Sequence, residues 1–273
     1  MKISADWYEK GLGNALGLLV GALVIGTAFP HLLKNLTRNL PWETLIFATS
    51  GLAAFGGALI YFFVPDGPFR KPMSHFEFNG ILRVFKDKAF RSAAFGYFGH
   101  MWELYSFWAF IPIMLTIYRT YHKSAAFDIS LWSFLIIAIG GVGCTVGGKL
   151  SLSISSSKVA FYALLISGVC CMLSPFAFYL NSTLFLVFLL IWGLAVVTDS
   201  PQFSAVVART APQKMKGTAL TIVNSIGFAV TIVSLQFLKQ MAPLFHDKSI
   251  FIWLAVGPVA GCLSILPLIK KGL

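Results

Sequence analysis

Charged residues are scarce in this chain of 273 residues. Only 11% are Asp, Glu, Lys or Arg, against about a quarter in a typical soluble domain. The 10 acids are outnumbered by 21 Lys and Arg, which gives a formal net charge of +11. No tract is polar enough to form a soluble domain that would present this charge to nucleic acid. We therefore predict no nucleic-acid partner and assign the excess to the loops of a membrane protein.

Cysteine is also rare, and the loops lack recognisable catalytic motifs. Cys144, Cys170, Cys171 and Cys262 all lie in apolar tracts without metal-ligand spacing, which predicts packing residues rather than a metal centre or disulfides. No segment has the pattern of a nucleophile elbow, a zinc site or a phosphate-binding loop. His100, Glu103 and Asp199, which lie in only two of the predicted helices, are too little evidence for an intramembrane enzyme. The sequence therefore predicts neither enzyme activity nor a cofactor.

Long hydrophobic runs fill most of the chain, which is 57% hydrophobic and has a mean hydropathy of +0.79. A helix needs roughly 20 mainly apolar residues to cross a bilayer, whereas the strands of a membrane barrel are alternating segments of about 10 residues. The runs are continuous, so we predict an all-α integral membrane protein in contact with the lipid bilayer. Its eight predicted transmembrane helices cover 12–34, 42–65, 92–118, 129–150, 159–180, 183–207, 218–239 and 249–269.

The basic residues are distributed unequally between the two sets of alternate loops. Fifteen fall in the termini and the loops on the same side, and six fall in the opposite loops. Cytoplasmic loops of membrane proteins carry the excess of Lys and Arg. We therefore predict a multi-pass protein of the inner or plasma membrane with both termini in the cytoplasm.

One long polar connection and a weak internal repeat divide the chain. Residues 66–91 contain six basic residues and no run long enough to span. The motif GNAL at 13–16 opens the first run, and GTAL at 217–220 opens the seventh, 204 residues later. Such a period is typical of a duplicated transporter half. The predicted regions are two helices in 1–65, a cytoplasmic basic linker in 66–91 and a six-helix bundle in 92–273.

Several motifs resemble the major facilitator superfamily. The segment 5–16 resembles the entry to the family's fifth helix, and GHMWELY at 99–105 and DSPQF at 199–203 resemble its seventh and tenth helices. The resemblance implies part of the N-terminal bundle followed by a complete six-helix second bundle. It places Met1 just after the family's fourth helix, so we expect an N-terminally truncated transporter corresponding to the last eight of twelve helices.

Two acids inside the hydrophobic runs are the leading site candidates, because charged side chains at membrane depth are costly and often functional. Glu103 lies eleven residues into its run, about 17 Å deep at 1.5 Å per residue. His100 precedes it by three positions and so shares its helix face. Asp199 lies beside Pro201, which is predicted to free the carbonyl of Val197 and kink the helix.

The resemblance places the seventh and tenth helices at the transport path. It therefore implies roles for Glu103, Asp199 and His100 in binding a proton or a cationic group of the substrate. Each acid has a structural alternative as a hydrogen-bonded packing contact. The residues predicted to line the pocket are Trp102, Tyr105, Tyr97 and Gln202.

The predicted function is secondary active transport of a small solute by alternating access, with protons as the coupling ion. The alternative is a remnant that does not transport, or a membrane subunit that needs a missing N-terminal segment or a partner chain.

Overall fold

The computed structural model describes residues 6–8, 11–37, 40–69, 84–212, 215–243 and 248–270. Helices account for most of these ranges, and no strand occurs within them. This confirms the all-α prediction. In chain order the main elements are α1 (Leu12–Leu36), α2 (Trp42–Phe63), α3 (Lys88–Tyr121), α4 (Ile129–Ile154), α5 (Ser156–Ala177), α6 (Ser182–Thr198), α7 (Ser200–Thr210), α8 (Lys216–Met241), a 3₁₀ helix (Ile250–Ala255) and α9 (Val256–Lys270).

Seven segments of the described chain are long and apolar enough to cross a membrane, with α6 and α7 counted as one and the 3₁₀ helix joined to α9. Each coincides with a predicted span. The remaining predicted span, 92–118, lies within α3, which has 34 residues and is long enough to cross a membrane. Glu103 and several Tyr and Trp residues lower its hydropathy, and α3 lies among other helices instead of facing lipid on all sides.

Side-chain caps set the starts of three helices. The carboxylate of Asp87 accepts a bond of 2.8 Å from the backbone N–H of Phe90 at the start of α3. Asp128 caps the start of α4 in the same way at 2.7 Å, and Asn181 caps the start of α6 at 3.0 Å. Such caps satisfy N–H groups that the first helical turn leaves free. Because of its cap, α3 begins at Lys88, three residues before the predicted end of the linker at 91. Residues 70–83 of that linker lie outside the described ranges.

The span predicted at 183–207 is interrupted at Asp199, where α6 ends and α7 begins. Pro201 lies in the first turn of α7, where its missing N–H costs least. The carbonyl of Val197 is released from the regular helical hydrogen bond, as predicted. Its oxygen accepts instead from Sγ of Cys144 at 3.3 Å and from the backbone N–H of Asp199. The interruption places the backbone of Asp199 between two helical segments.

Glycines allow α1 to lie directly against α4. Gly13, Gly17 and Gly21 recur every fourth residue of α1, so they share one face. A methyl group added at Gly17 would lie 2.6 Å from the carbonyl oxygen of Cys144, and one at Gly21 would lie 2.9 Å from that of Gly141. This contact between backbones is the packing role expected of small residues in membrane helices. We call it the α1–α4 glycine seam.

Helix α3 lies at the centre of the remaining helices. It packs most extensively on α9 and α8 and also contacts α7, α4 and α6. Gly99 faces Gly257 and Gly261 of α9 at backbone contact. By contrast, α2 touches mainly α1, and none of its 22 residues is buried. The polar face of α3 is therefore enclosed by protein, whereas α2 presents its apolar side chains outward.

Candidate functional site

The interruption between α6 and α7 brings Asp199 next to His100 of α3. The Nδ1 atom of His100 lies 2.9 Å from Oδ1 of Asp199, and the two side chains are 1% and 0% exposed. The separation is that of an ion pair, but the atoms are not aligned as a hydrogen bond and have no other hydrogen-bond partner. The rings of Tyr97 and Phe203 lie beside the imidazole, at centroid distances of 5.8 and 6.2 Å. The pair is thus enclosed by aromatic side chains and removed from solvent.

Glu103 lies one turn further along α3 and contacts different residues. Its carboxylate accepts bonds from Nε1 of Trp192 at 2.7 Å, Oγ of Ser167 at 2.9 Å and Sγ of Cys171 at 3.1 Å. Trp192 is fixed in turn by the ring of Phe107, whose centroid is 4.5 Å away. A buried carboxylate requires such donors to offset the loss of water. We call these three donors the Glu103 cage.

The two acids therefore contact different residues on one side of α3. Neither of them lines the large cavity on the other side of this helix. His100 and Glu103 share a helix face, as the spacing predicted. That face is directed at α5, α6 and α7, where buried donors and a partner charge are available. The predicted exposure of both acids to a transport path is not visible in this arrangement.

A cavity of ≈ 470 Å³ lies on the opposite side of α3, between α1, α4 and α8. Its lining includes Tyr105 and Trp108 of α3, Thr27 and His31 of α1, and Phe228 of α8. Tyr105 follows Glu103 by two positions, which turns it by about 200° around the helix. Helix α3 thus presents its acid and imidazole to the interior of the bundle and Tyr105 and Trp108 to the cavity.

Of the four residues predicted to line a pocket, Tyr105 lines this cavity and the other three lie elsewhere. Trp102 donates from Nε1 to the carbonyl oxygen of Trp253 at 3.2 Å. Tyr97 packs beside His100 and against Gly227. Gln202 is fully buried, and its Nε2 lies 3.4 Å from the carbonyl oxygen of Gly13. Gln202 therefore links α7 to the start of α1.

Sequence reasoning did not identify the Glu103 cage or most of the cavity lining. Ser167 and Cys171 are four residues apart and share a face of α5, which was a usable signal of a polar contact. Cys171 was predicted to be an apolar packing residue, and it instead donates to a carboxylate. Nothing in the local pattern of Thr27, His31 or Phe228 indicates that α1 and α8 meet at one cavity.

Replacing Glu103 by leucine is expected to destabilise the protein by about 1–3 kcal/mol, because the Nε1–H of Trp192 is left buried without an acceptor. Glu103→Gln is the matched control, since its amide oxygen can still accept from Trp192. The free energy of unfolding, measured by titration with SDS and followed by tryptophan emission, separates the two variants. Equal stability of the leucine and glutamine variants would contradict the importance of these bonds.

Comparisons with known proteins give one match to a family and one to a solved structure. The sequence profile of the Major Facilitator Superfamily matches residues 1–235. A crystal structure of a bacterial homologue of the iron transporter ferroportin, in an outward-facing state, superposes with a TM-score of 0.50 and 17% identity. The match covers 79% of this chain and 51% of that one, so this chain spans about half the length of the solved protein.

At that identity the superposition shows a shared fold only. A comparison with curated protein sequences finds no match. The family profile covers most of the chain and agrees with the helices that are long enough to span a membrane. The chain is thus a multi-pass integral membrane protein that belongs to the Major Facilitator Superfamily, a family of membrane transporters.

Proposed function

We propose that this chain provides the machinery of a secondary transporter that moves a small solute by alternating access and is coupled to protons. The region 92–273 acts as one six-helix bundle, and 1–65 supplies two helices of the other. The basic linker and both termini face the cytoplasm, across the inner or plasma membrane. The solute binds in the cavity between α1, α3, α4 and α8.

The observation that supports proton coupling is the contact of 2.9 Å between His100 and Asp199. With one proton bound, this buried pair is neutral overall. Without the proton it carries one negative charge, which the interior of a membrane protein disfavours strongly. Release of the proton therefore requires water or a cation to reach the pair, and so it requires a change in helix packing.

The interruption between α6 and α7 gives that change a place to occur. Asp199 joins two helical segments, and a small rotation of either would change its distance from His100. Glu103 is the second proton site in this proposal, one turn away on α3. Movement of α5 or α6 relative to α3 would open the Glu103 cage and expose the carboxylate.

The test is solute-driven proton flux in proteoliposomes that contain a pH-sensitive dye. We expect at least one class among neutral aromatics, amino acids, sugars and divalent metals to produce flux. Asp199→Asn and His100→Gln are expected to reduce the flux by more than tenfold, because the neutral replacements cannot hold the transferred proton. Tyr162→Phe, on the outward surface of α5 at 54% exposure, is the matched control and should retain it.

Three results would overturn parts of this proposal. Solute uptake with an unchanged pH profile in Asp199→Asn, His100→Gln and Glu103→Gln would exclude proton coupling through these residues. If the chain alone takes up no solute of any class and a co-expressed segment restores uptake, that result would favour a subunit that needs a partner chain. No uptake under either condition would favour the remnant that does not transport.

A further inference from the structure

The cavity is lined mainly by apolar and aromatic side chains. Tyr105 and Trp108 meet edge to face at a centroid distance of 5.2 Å, and the ring of Phe228 lies 5.5 Å from Tyr105. The cavity has a volume of ≈ 470 Å³, which falls within the ~300–1,000 Å³ typical of sites for drug-sized ligands. Its polar residues, besides the hydroxyl of Tyr105 and the indole of Trp108, are Thr27, His31 and Thr231.

The threonine hydroxyls of the lining are already used within the protein. Thr27 donates to the carbonyl oxygen of Leu23 at 2.9 Å, and Thr231 donates to that of Met101 at 2.9 Å. Because these protons are used, the threonines offer little to a ligand that needs several donors. The cavity is therefore poorly suited to a sugar, whose hydroxyl groups require many partners.

One lining group lacks the partner that its burial calls for. Trp108 is 7% exposed, and its Nε1 donor has no hydrogen-bond partner. A buried donor without an acceptor costs about 1–3 kcal/mol. Because Nε1 itself has almost no accessible surface, a small turn of the indole must present it to the cavity, and a ligand that brings an acceptor favours that turn. This unpaired indole is an observation independent of the shape of the cavity.

Charged ligands are poorly matched to the lining. The ten residues that line the cavity include no carboxylate, lysine or arginine, and His31 is the single histidine among them. An ion that enters without a partner charge loses much more hydration energy than it regains. A divalent metal prefers several oxygen or nitrogen ligands, and this lining offers it few.

We propose that this cavity binds a neutral, planar aromatic solute that carries a hydrogen-bond acceptor, with the rings packed against Tyr105 and Phe228 and the acceptor bonded to Nε1 of Trp108. This inference rests on the proposed function, since it names the class of solute that the transporter would move. Trp108 is then the residue that distinguishes solutes with an acceptor from those without one.

The test uses two probes of similar size and shape. 7-Methylcoumarin is neutral and carries a carbonyl acceptor, and 2-methylnaphthalene is neutral and has no hydrogen-bond acceptor. Binding to the full chain in nanodiscs is measured by equilibrium dialysis, with empty nanodiscs as the blank. We expect saturable binding of both probes and tighter binding of the coumarin. Trp108→Phe should weaken coumarin binding about tenfold, because one hydrogen bond is lost. The same variant should leave binding of the naphthalene probe nearly unchanged.

Ala109→Phe provides a second test, because it fills the cavity without removing a polar contact. It should abolish saturable binding of both probes. Val142→Leu, at a position of α4 that is 51% exposed, is the control and should bind like the unmodified chain. Equal binding by Ala109→Phe and Val142→Leu would overturn the proposal, because the probes would then be partitioning into the nanodisc lipid and not binding in the cavity.

Two further outcomes separate this inference from the proposed function. Displacement of the coumarin by Co²⁺ or by 1-naphthoate at comparable concentration would overturn the neutral solute class and leave transport intact. Saturable coumarin binding that depends on Trp108, with no flux of any solute, would support the site and count against transport by this chain.

Discussion

Replacing Asp199 by leucine is expected to cost about 3–5 kcal/mol of unfolding free energy, the range found when one partner of a buried ion pair is removed. His100 and Asp199 are 1% and 0% exposed, so water cannot replace the lost carboxylate. The imidazole must then remain buried without its partner or draw water into the bundle. Titration with SDS in mixed micelles, followed by helix content, measures the loss.

The double variant His100→Leu with Asp199→Leu is the decisive control. Replacing both partners of a buried pair by apolar residues is often neutral or stabilising, so the double variant is expected to be more stable than the Asp199→Leu single variant. If the losses of the two single variants simply add in the double variant, the contact contributes no coupling energy. That result would remove the structural basis for a shared proton.

Replacing Gly99 by leucine is the second change with a large expected effect, about 3 kcal/mol of destabilisation. A Cβ at this position would meet the carbonyl oxygen of Gly257 and lie 2.8 Å from the backbone nitrogen and Cα of Gly261. Backbone atoms cannot turn aside as the end of a side chain can. The crossing of α3 and α9 must therefore widen, with the cost typical of overpacking or somewhat more.

Gly26→Ala is the matched control for this prediction. Nothing lies within 4 Å of a Cβ added at Gly26, so the change should stabilise α1 by about 0.5–1 kcal/mol through the gain in helix propensity. Thermal unfolding of both variants in the same detergent compares them directly. A similar melting temperature for Gly99→Leu and the unmodified chain would show that α3 and α9 do not approach closely.

The helices could be predicted from the sequence because hydropathy is a property summed over about 20 residues and tolerates local errors. Their ends depend on single atoms, such as the carboxylate of Asp87 that begins α3 before the predicted boundary. The interruption at Asp199 could also be predicted from the sequence, because a proline such as Pro201 removes one particular hydrogen bond from a helix. These features depend on residues close together in the chain.

The contacts of the site depend on residues that are far apart. Helical periodicity places His100 and Glu103 on one face, but it does not say which helix that face meets. The donors to Glu103 come from residues 64, 68 and 89 positions away. The cavity likewise needs α1 and α8 to meet on the far side of α3. No local pattern contains this information, so the enclosure of the two acids and the position of Tyr105 emerge only from the assembled helices.

The glycine seam between α1 and α4 has a consequence for motion. Interlocking side chains resist sliding because each must change rotamer to pass its neighbour. Gly17 and Gly21 have no side chains to interlock, and they meet the backbone at Gly141, Cys144 and Gly148. A displacement along the seam exchanges one backbone contact for the next at nearly constant separation. The seam therefore holds α1 and α4 close together and offers less resistance than interlocked side chains would to a small shift of one helix along the other.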